Sequence, residues 1–376
     1  MMKLHPSSAH RWGPGGCPAS VQMEAQYPDT GDSQKKREGD AAHWYVSQVA
    51  AGRPAPALGT AAPNGTPITQ EMVDCADDIL RDIRDTVDTA AGPVLRIEET
   101  VSASVTVHPA NDGRPDFYLL DVAGRRLHIW DYKFGHRYVD AYMNWACIDY
   151  AAMILESNGV DIANWPLWTV TITIAQPRNY HPDGPLREWF LSGLDLAEHV
   201  GRLKVAAGLA MAERPQMQTG EHCRDCSARH ACPALERISM RLVDMAYDGQ
   251  PVDLPPAALG LELRIIRDAI KRLGARAEGL EEQAMSLARG GTGIPHWRAE
   301  YSKGRERWRE EVSTEEVVLL GEMYGIDLKK PQAVITPAQA RKAGVDPEAV
   351  KGFAHAPTGA MTLVPFDDAD VAKRFG

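Results

Sequence analysis

Apolar residues recur at helical spacing in several stretches of the chain. After Thr69, Met72, Ala76, Ile79, Leu80, Ile83 and Val87 fall three or four positions apart, the signature of an amphipathic helix with Thr69 as its N-cap. Residues 34–51 read as an earlier helix stopped by Gly52, and a short helix fits Ser20–Gln26 within an otherwise irregular start rich in Ser, Gly, Pro and His. Residues 53–68 form a Pro/Gly loop. The pattern then changes to strands over Thr100–His108, Asp116–Val122 and Arg126–Lys133, divided by Asn-Asp-Gly and Ala-Gly turn signals. Met143, Cys147, Tyr150, Ala151 and Ile154 predict a further helix, Leu167–Ala175 a strand stopped by Pro177, and 190–212 another helix. Beyond these, 234–247 and 257–289 read as helices, the second with Leu263, Ile266, Ile270, Leu273, Leu280 and Leu287 as its stripe.

Helix, strands, helix, strand and helix in that order predict an α/β fold: a mixed sheet flanked by helices, with a mostly helical C-terminal extension. The organisation expected is a sheet-bearing domain over 1–245, a long helix within 246–292 and a small accessory region over 293–376. In that last region Ser313 with Glu316 makes a capping box, and Thr336-Pro337 is an N-cap followed by proline.

Composition places the chain among ordinary globular proteins, with 44% hydrophobic and 24% charged residues. There is no run of about 18 apolar residues, and Met1–Ser8 lacks the basic-then-apolar pattern of a secretory signal, so a cytoplasmic protein without a membrane partner is expected. A net charge of -10 argues against a protein that coats nucleic acid. It leaves room for an acidic centre inside a locally basic cleft, with basic clusters at Lys35-Lys36-Arg37, His136-Arg137 and Lys303 to Arg309.

The segment Arg114 to Lys133 carries the chemistry. If Ala123-Gly124 is a two-residue hairpin loop, Val122 pairs with Arg125 and the same register sets Asp116 opposite Asp131. Opposed residues project from one face with Cβ atoms about 4.5–5.5 Å apart, and Lys133 shares that face because strand side chains alternate. Two facing carboxylates repel unless a cation lies between them, and such oxygen ligands suit Mg2+ or Mn2+. The backbone carbonyl of Tyr132 offers a further ligand. The bland alternative is a pair of solvated strand-end acids with an edge-strand lysine.

Six cysteines stand at 17, 75, 147, 223, 226 and 232. Cys75 and Cys147 fall within helical patterns and read as small buried hydrophobes. Cys223, Cys226 and Cys232 form a compact C-x2-C-x5-C group needing a fourth ligand, and Cys17 is the remaining candidate, with His222 or His230 as the fallback. In the accessory region Lys303, Arg305, Arg307 and Arg309 are interleaved with Trp308, a composition that suits DNA phosphates and base stacking and equally suits a solvated charged strand.

Four segments between residues 11 and 235 resemble the RecB-like branch of the PD-(D/E)xK nucleases, and within it a phage-encoded exonuclease-like family: Glu38-Gly-Asp-Ala-Ala-His43, Pro115-Asp116, Asp131-Tyr-Lys133 and Asn144-Trp-Ala-Cys-Ile-Asp-Tyr150-Ala. The resemblance implies a restriction-endonuclease-like core, His43 as a further metal ligand, Asp116, Asp131 and Lys133 as the catalytic core, and Tyr150 in support. It also implies that the N-terminal cysteine and the later trio hold an iron-sulfur cluster (4Fe-4S) that clamps the ends of the nuclease domain, with zinc as the competing metal. The expected activity is DNA hydrolysis at linear duplex ends in phage recombination or replication, in the host cytoplasm, with a single-strand annealing protein as a possible partner. Two positions depart from the pattern: Ala146 stands where Gln is usual, and Ser47 where Glu often follows the histidine by four. These departures keep open a catalytically weakened nuclease-fold protein that binds DNA or serves as a scaffold. A zinc-stapled interaction protein is the third reading.

Overall fold

The structure, a computed structural model, describes residues 2–29, 34–179, 181, 183–238, 256–297 and 299. Residues 1–292 form one compact unit and residues 293–376 a second. Almost all of the second unit, including Lys303, Arg305, Arg307, Trp308, Arg309 and both of its capping motifs, lies outside the described residues.

A five-stranded sheet forms the centre of the first unit, in the order β1 (Pro93–Ile97), β4 (Phe117–Asp121), β5 (Arg126–Tyr132), β6 (Thr169–Ala175) and β7 (Leu186–Ser192). A separate two-stranded sheet pairs β2 (Val101–Ser102) with β3 (Asp112–Gly113). Neighbours in the large sheet are antiparallel except β5 and β6, which run parallel and are joined through α5 (Trp145–Ser157). Parallel neighbours need such a crossover, which lays a helix over the sheet. The mixed α/β architecture expected from the element order is the one observed.

Each face of the sheet is covered. On one, Leu127, Ile129, Ile172 and Ile174 pack with Cys147, Ile148 and Ile154 of α5, Leu196, Val200 and Leu203 of α6 (Gly193–Ala210), and Trp12 of α1 (Ala9–Trp12). On the other, Phe117, Leu119, Trp130 and Tyr132 meet Ala42 and Tyr45 of α3 (Gln34–Ala50) and Met72, Ala76, Ile79 and Ile83 of α4 (Gln70–Thr89). The four α4 residues are those of the apolar stripe, and Thr69 Oγ1 accepts from the Met72 N–H at 3.3 Å as the N-cap. Asn144 caps α5 by accepting from the Cys147 N–H at 3.2 Å. The short helix over Ser20–Gln26, α2, also falls where the sequence pattern set it.

Three elements differ from expectation. Of Thr100–His108 only Val101–Ser102 is strand; Glu156 on α5 accepts from the N–H groups of Val105 and Thr106 and from the hydroxyls of Ser104 and Thr106, which holds the remainder as a turn. Strand β1 was not expected, because its short Pro-Val-Leu-Arg-Ile stretch becomes a strand only by pairing with β4. Residues 190–192 belong to β7 rather than to a helix. Ser192 and Asp195 form a capping box that starts α6 at Gly193, and a Cβ there would lie 1.7 Å from the Trp165 carbonyl oxygen. The long helix α7 (Pro256–Arg289) forms as expected, but Leu263, Ile266, Ile270, Leu280 and Leu287 of its stripe are exposed. It packs beside residues 221–230, where Arg276 donates to the Arg229 carbonyl at 3.1 Å and Arg229 pairs with Glu282 at 2.6 Å.

Asp149, in the buried middle of α5, accepts from Asn111 Nδ2 at 3.0 Å, and Asn111 also donates to the Leu4 carbonyl at 3.2 Å. Oδ1 of Asp149 has no hydrogen-bond partner, and burial pushes its carboxyl up to about 7. A carboxyl whose folded pKa is raised stabilises the fold below its unfolded pKa and loses that contribution as pH rises through the folded value. Asp149→Asn should therefore raise stability at pH 8 by up to about 4 kcal/mol and flatten the decline between about pH 4 and 7. Thermal melts of both proteins at pH 5 and pH 8 measure this; a parallel pH dependence in the variant contradicts it.

Candidate functional site

The β4–β5 hairpin has the register that its turn dictates. Phe117 pairs with Trp130 and Asp121 with Arg126, and a turn over 122–125 is closed by the Arg125 N–H to the Val122 carbonyl at 3.3 Å. One step beyond Phe117 and Trp130, the same register places Asp116 opposite Asp131. The Tyr132 N–H then donates to Asp116 Oδ2 at 2.8 Å, tying one strand's acid to the other strand's backbone.

Lys133 Nζ donates to Asp131 Oδ1 at 2.9 Å and lies 2.8 Å from Oδ2, which has no well-directed hydrogen bond of its own. His43, from α3, brings Nδ1 to 3.4 Å from Asp116 Oδ1 and sets its ring edgewise on Tyr132, 5.2 Å between centroids. Two carboxylates, an ammonium and an imidazole thus meet at the end of the hairpin. Burial pushes Asp116 upward, but His43, Lys133 and the Tyr132 N–H outweigh it and leave Asp116 below the usual carboxylate range. Asp131 is only 6% exposed; burial and the nearby Asp116 charge outweigh Lys133 and raise it. Burial disfavours the charged forms of Lys133 and His43, yet the two acids hold both above their ordinary values.

The supporting shell explains two motif positions. Tyr150 Oη donates to the Arg114 carbonyl at 3.2 Å, and its ring lies against Gly113, bracing the chain just before Asp116. Ser47 donates to Glu98 Oε1 at 3.1 Å; Arg114 holds Oε2 at 3.3 Å, and the Glu98 N–H donates to the Asp116 carbonyl at 3.0 Å. A carboxylate is therefore present beside His43's helix, supplied from the end of β1. Glu98 has a left-handed backbone, φ 50°, a strained conformation for a non-glycine residue. Sequence reading missed Glu98 because it missed β1.

Away from the hairpin, Cys17, Cys223, Cys226 and Cys232 gather between the N-terminal segment and residues 216–232, Cys223 in a small buried cluster with Leu235 and Ala275. Electrostatic coupling links Cys17 with Cys232, Cys223 with both, and Cys226 with Cys223. Their sulfurs accept backbone N–H groups, from Gln218 to Cys17 and from Gly220 to Cys223, each at 3.3 Å, and from Ala228 to Cys226. Such N–H···S bonds favour thiolate over thiol, while burial pushes the Cys17 and Cys223 thiols up, and burial together with the Glu24 charge pushes that of Cys226 up to about 12. No three of these sulfurs lie within 4.8 Å of one another. His222 has its Nε2 2.9 Å from the Gln218 carbonyl, and His230 packs edgewise on Tyr27. Cys147 is buried in the α5 core, whereas Cys75 is only partly buried.

On the opposite face of the sheet, sequence reading passed over a third polar group: ligand atoms of Asp82, His128 and Glu188 lie within 4.8 Å of one another. No local pattern distinguishes Asp82 from the other acids of α4.

Fold and site together define a five-stranded α/β protein with a carboxylate, lysine and histidine centre at a hairpin end. The chain belongs to the family described as "Protein of unknown function (DUF2800)", whose model matches residues 2–371. No curated protein matches it. Among solved structures, one described as "Crystal structure of SSO0001" is 12% identical, with 62% of this chain and 87% of that chain covered and a TM-score of 0.28, too low to bear on function. Among the described residues, no helix is long and apolar enough to cross a membrane.

A Cβ on Gly113 would lie 2.7 Å from Pro6 Cδ and 2.9 Å from Tyr150 Cε1. Gly113→Ala should cost roughly 1–3 kcal/mol by overpacking, and Tyr150→Phe about 1 kcal/mol through the lost hydrogen bond. Denaturant titration checks both; a neutral Gly113→Ala would mean that the Arg114–Asp116 segment is not held by this contact.

Proposed function

We propose that the chain is a metal-dependent DNA nuclease of the PD-(D/E)xK kind, in its RecB-like branch. The observation that carries the reading is the hairpin register, which sets Asp116 and Asp131 face to face with Lys133 on the same side and His43 against Asp116. The poorly bonded Oδ2 of Asp131, the two acids' mutual repulsion and the adjoining imidazole fit a hard divalent cation, with the Tyr132 carbonyl as a further ligand. Bound there, Mg2+ or Mn2+ would polarise a phosphodiester and lower the pKa of a water.

The protein's own groups do the rest. His43 and the Tyr132 N–H hold Asp116 ionised and fix its orientation. Lys133 is kept protonated by the acids, so its ammonium is available to orient the attacking water and to stabilise charge developing on the phosphate. Tyr150 keeps the Arg114–Asp116 segment in place. The substrate within this reading is linear duplex DNA attacked at its ends, in phage recombination or replication, alongside a single-strand annealing protein. The basic and aromatic stretch at Lys303, Arg305, Arg307, Trp308 and Arg309 would add contacts to the phosphates.

The cysteine group is proposed to hold a 4Fe-4S cluster, with zinc as the competitor. It joins segments more than two hundred residues apart, and a metal closing so long a loop offsets a large entropic cost. Ala146 and Ser47 favour one second reading, a DNA-binding or scaffold protein with weakened chemistry.

Protein purified without oxygen and given Mg2+ or Mn2+ should degrade end-labelled linear DNA and spare closed circles. Asp131→Asn and Lys133→Ala should each lower the rate at least about a hundredfold while binding DNA as before. A wild-type protein that binds linear DNA but never cleaves it supports the scaffold reading, and an Asp131→Asn variant of full activity removes the nuclease centre. The same preparation should be coloured and contain iron, and replacing Cys17 should abolish both the colour and the solubility of the protein. A colourless protein with one zinc per chain would assign the site to zinc.

A further inference from the structure

Strand alternation separates His128 from Asp131: side chains at odd and even positions of β5 project from opposite faces. Leu127 and Ile129 pack beneath α5, whereas Trp130 and Tyr132 pack beneath α3 and α4. His128 therefore lies on the α4 face, about 10 Å back along the strand from the hairpin centre. There it meets Asp82 from α4 and Glu188 from β7, with ligand atoms of all three within 4.8 Å of one another.

Several features mark this group as held for a purpose. The imidazole of His128 stacks on the Trp130 ring at 3.8 Å and 12°. The Trp130 Nε1–H donates to Asp82 Oδ2 at 2.6 Å, so one indole orients two of the three side chains. Thr173, from β6, is fully buried and serves the others: its Oγ1 lies 2.7 Å from His128 Nε2 and donates to Glu188 Oε1 at 3.4 Å. Outer contacts of this type orient metal ligands. Among the described residues no lysine or arginine forms an ion pair with Asp82 or Glu188. Two acids and an imidazole therefore converge, and among the described residues no lysine or arginine pairs with either acid.

We propose that Asp82, His128 and Glu188 form a second divalent-cation site, on the sheet face opposite the hairpin centre, that pins α4 to β5 and β7. One nitrogen and two carboxylate ligands suit a first-row cation such as Mn2+ or Zn2+, with water completing the shell. The site's role is structural: α4 packs on α3, which carries His43, so a cation here fixes the layer from which His43 reaches Asp116. The inference stands apart from the nuclease reading, since it uses none of its residues.

Mn2+ is the probe, because thiolates of the cysteine group favour softer metals. In the full-length Asp116→Asn/Asp131→Asn variant, which disables the hairpin centre, one Mn2+ per chain should bind, raise Tm and show nitrogen coupling from an imidazole in pulsed EPR. Adding Glu188→Gln or Asp82→Asn should weaken that binding at least about tenfold and abolish the Tm rise, while Glu188→Gln alone raises the metal-free Tm by removing repulsion. Glu188 is exposed, so its variant tests binding without threatening the fold. Should the double variant not fold, loss of one Mn2+ equivalent on Glu188→Gln is read in otherwise wild-type protein. Unchanged Mn2+ affinity in Glu188→Gln and Asp82→Asn, or no imidazole coupling, overturns the site.

Discussion

Register in the β4–β5 hairpin is the constraint from which the rest of the site follows. Because strand side chains alternate, a slip of one residue would turn Asp131 and Lys133 to the α4 side and bury Trp130 under α5 instead. The turn over 122–125 and the two apolar cores exclude that slip. The same alternation that brings Asp116 opposite Asp131 thus sends His128 to the other face, where it joins Asp82 and Glu188. One strand supplies side chains to two polar groups separated by the sheet itself.

Both groups place like charges together in partly desolvated surroundings, an arrangement that costs stability unless it is compensated. At the hairpin end the compensation is internal: Lys133 and His43 balance the two acids, and each shifts the others' proton affinities. At the α4 face no cationic side chain among the described residues does so, and the imidazole is neutral. The two sites therefore differ in kind. The hairpin centre carries cationic side chains beside its acids, whereas the group on the α4 face has none paired with its acids among the described residues.

The elements legible in the sequence were those whose signal is local. The α4 stripe from Met72 to Ile83, the Thr69 cap and the hairpin turn each announce themselves within a few residues. The opposition of Asp116 and Asp131 could be read from the turn alone. What escaped depends on partners far along the chain. Strand β1 exists because it pairs with β4, and with it comes Glu98, held by Ser47 where the motif has a glutamate on the helix itself. The segment after Ser102 reads as strand until Glu156 draws its N–H groups into a turn. Strand β7 was hidden in a stretch whose helical continuation begins only at the Ser192 cap. His128 looked like an ordinary alternating strand residue, and only the packing of α4 across β5 and β7 gives it two carboxylate neighbours.

The central claim is that Asp116, Asp131 and His43 hold one catalytic divalent cation. A crystal of the full-length protein soaked in Mn2+ and measured at a wavelength sensitive to manganese tests it most directly. The account predicts an anomalous peak within about 2.0–2.3 Å of carboxylate oxygens from both Asp116 and Asp131, with His43 turned to it and Lys133 beside it. A map in which Lys133 still bridges Asp131, His43 still faces Asp116 and no peak lies between the two acids would contradict it.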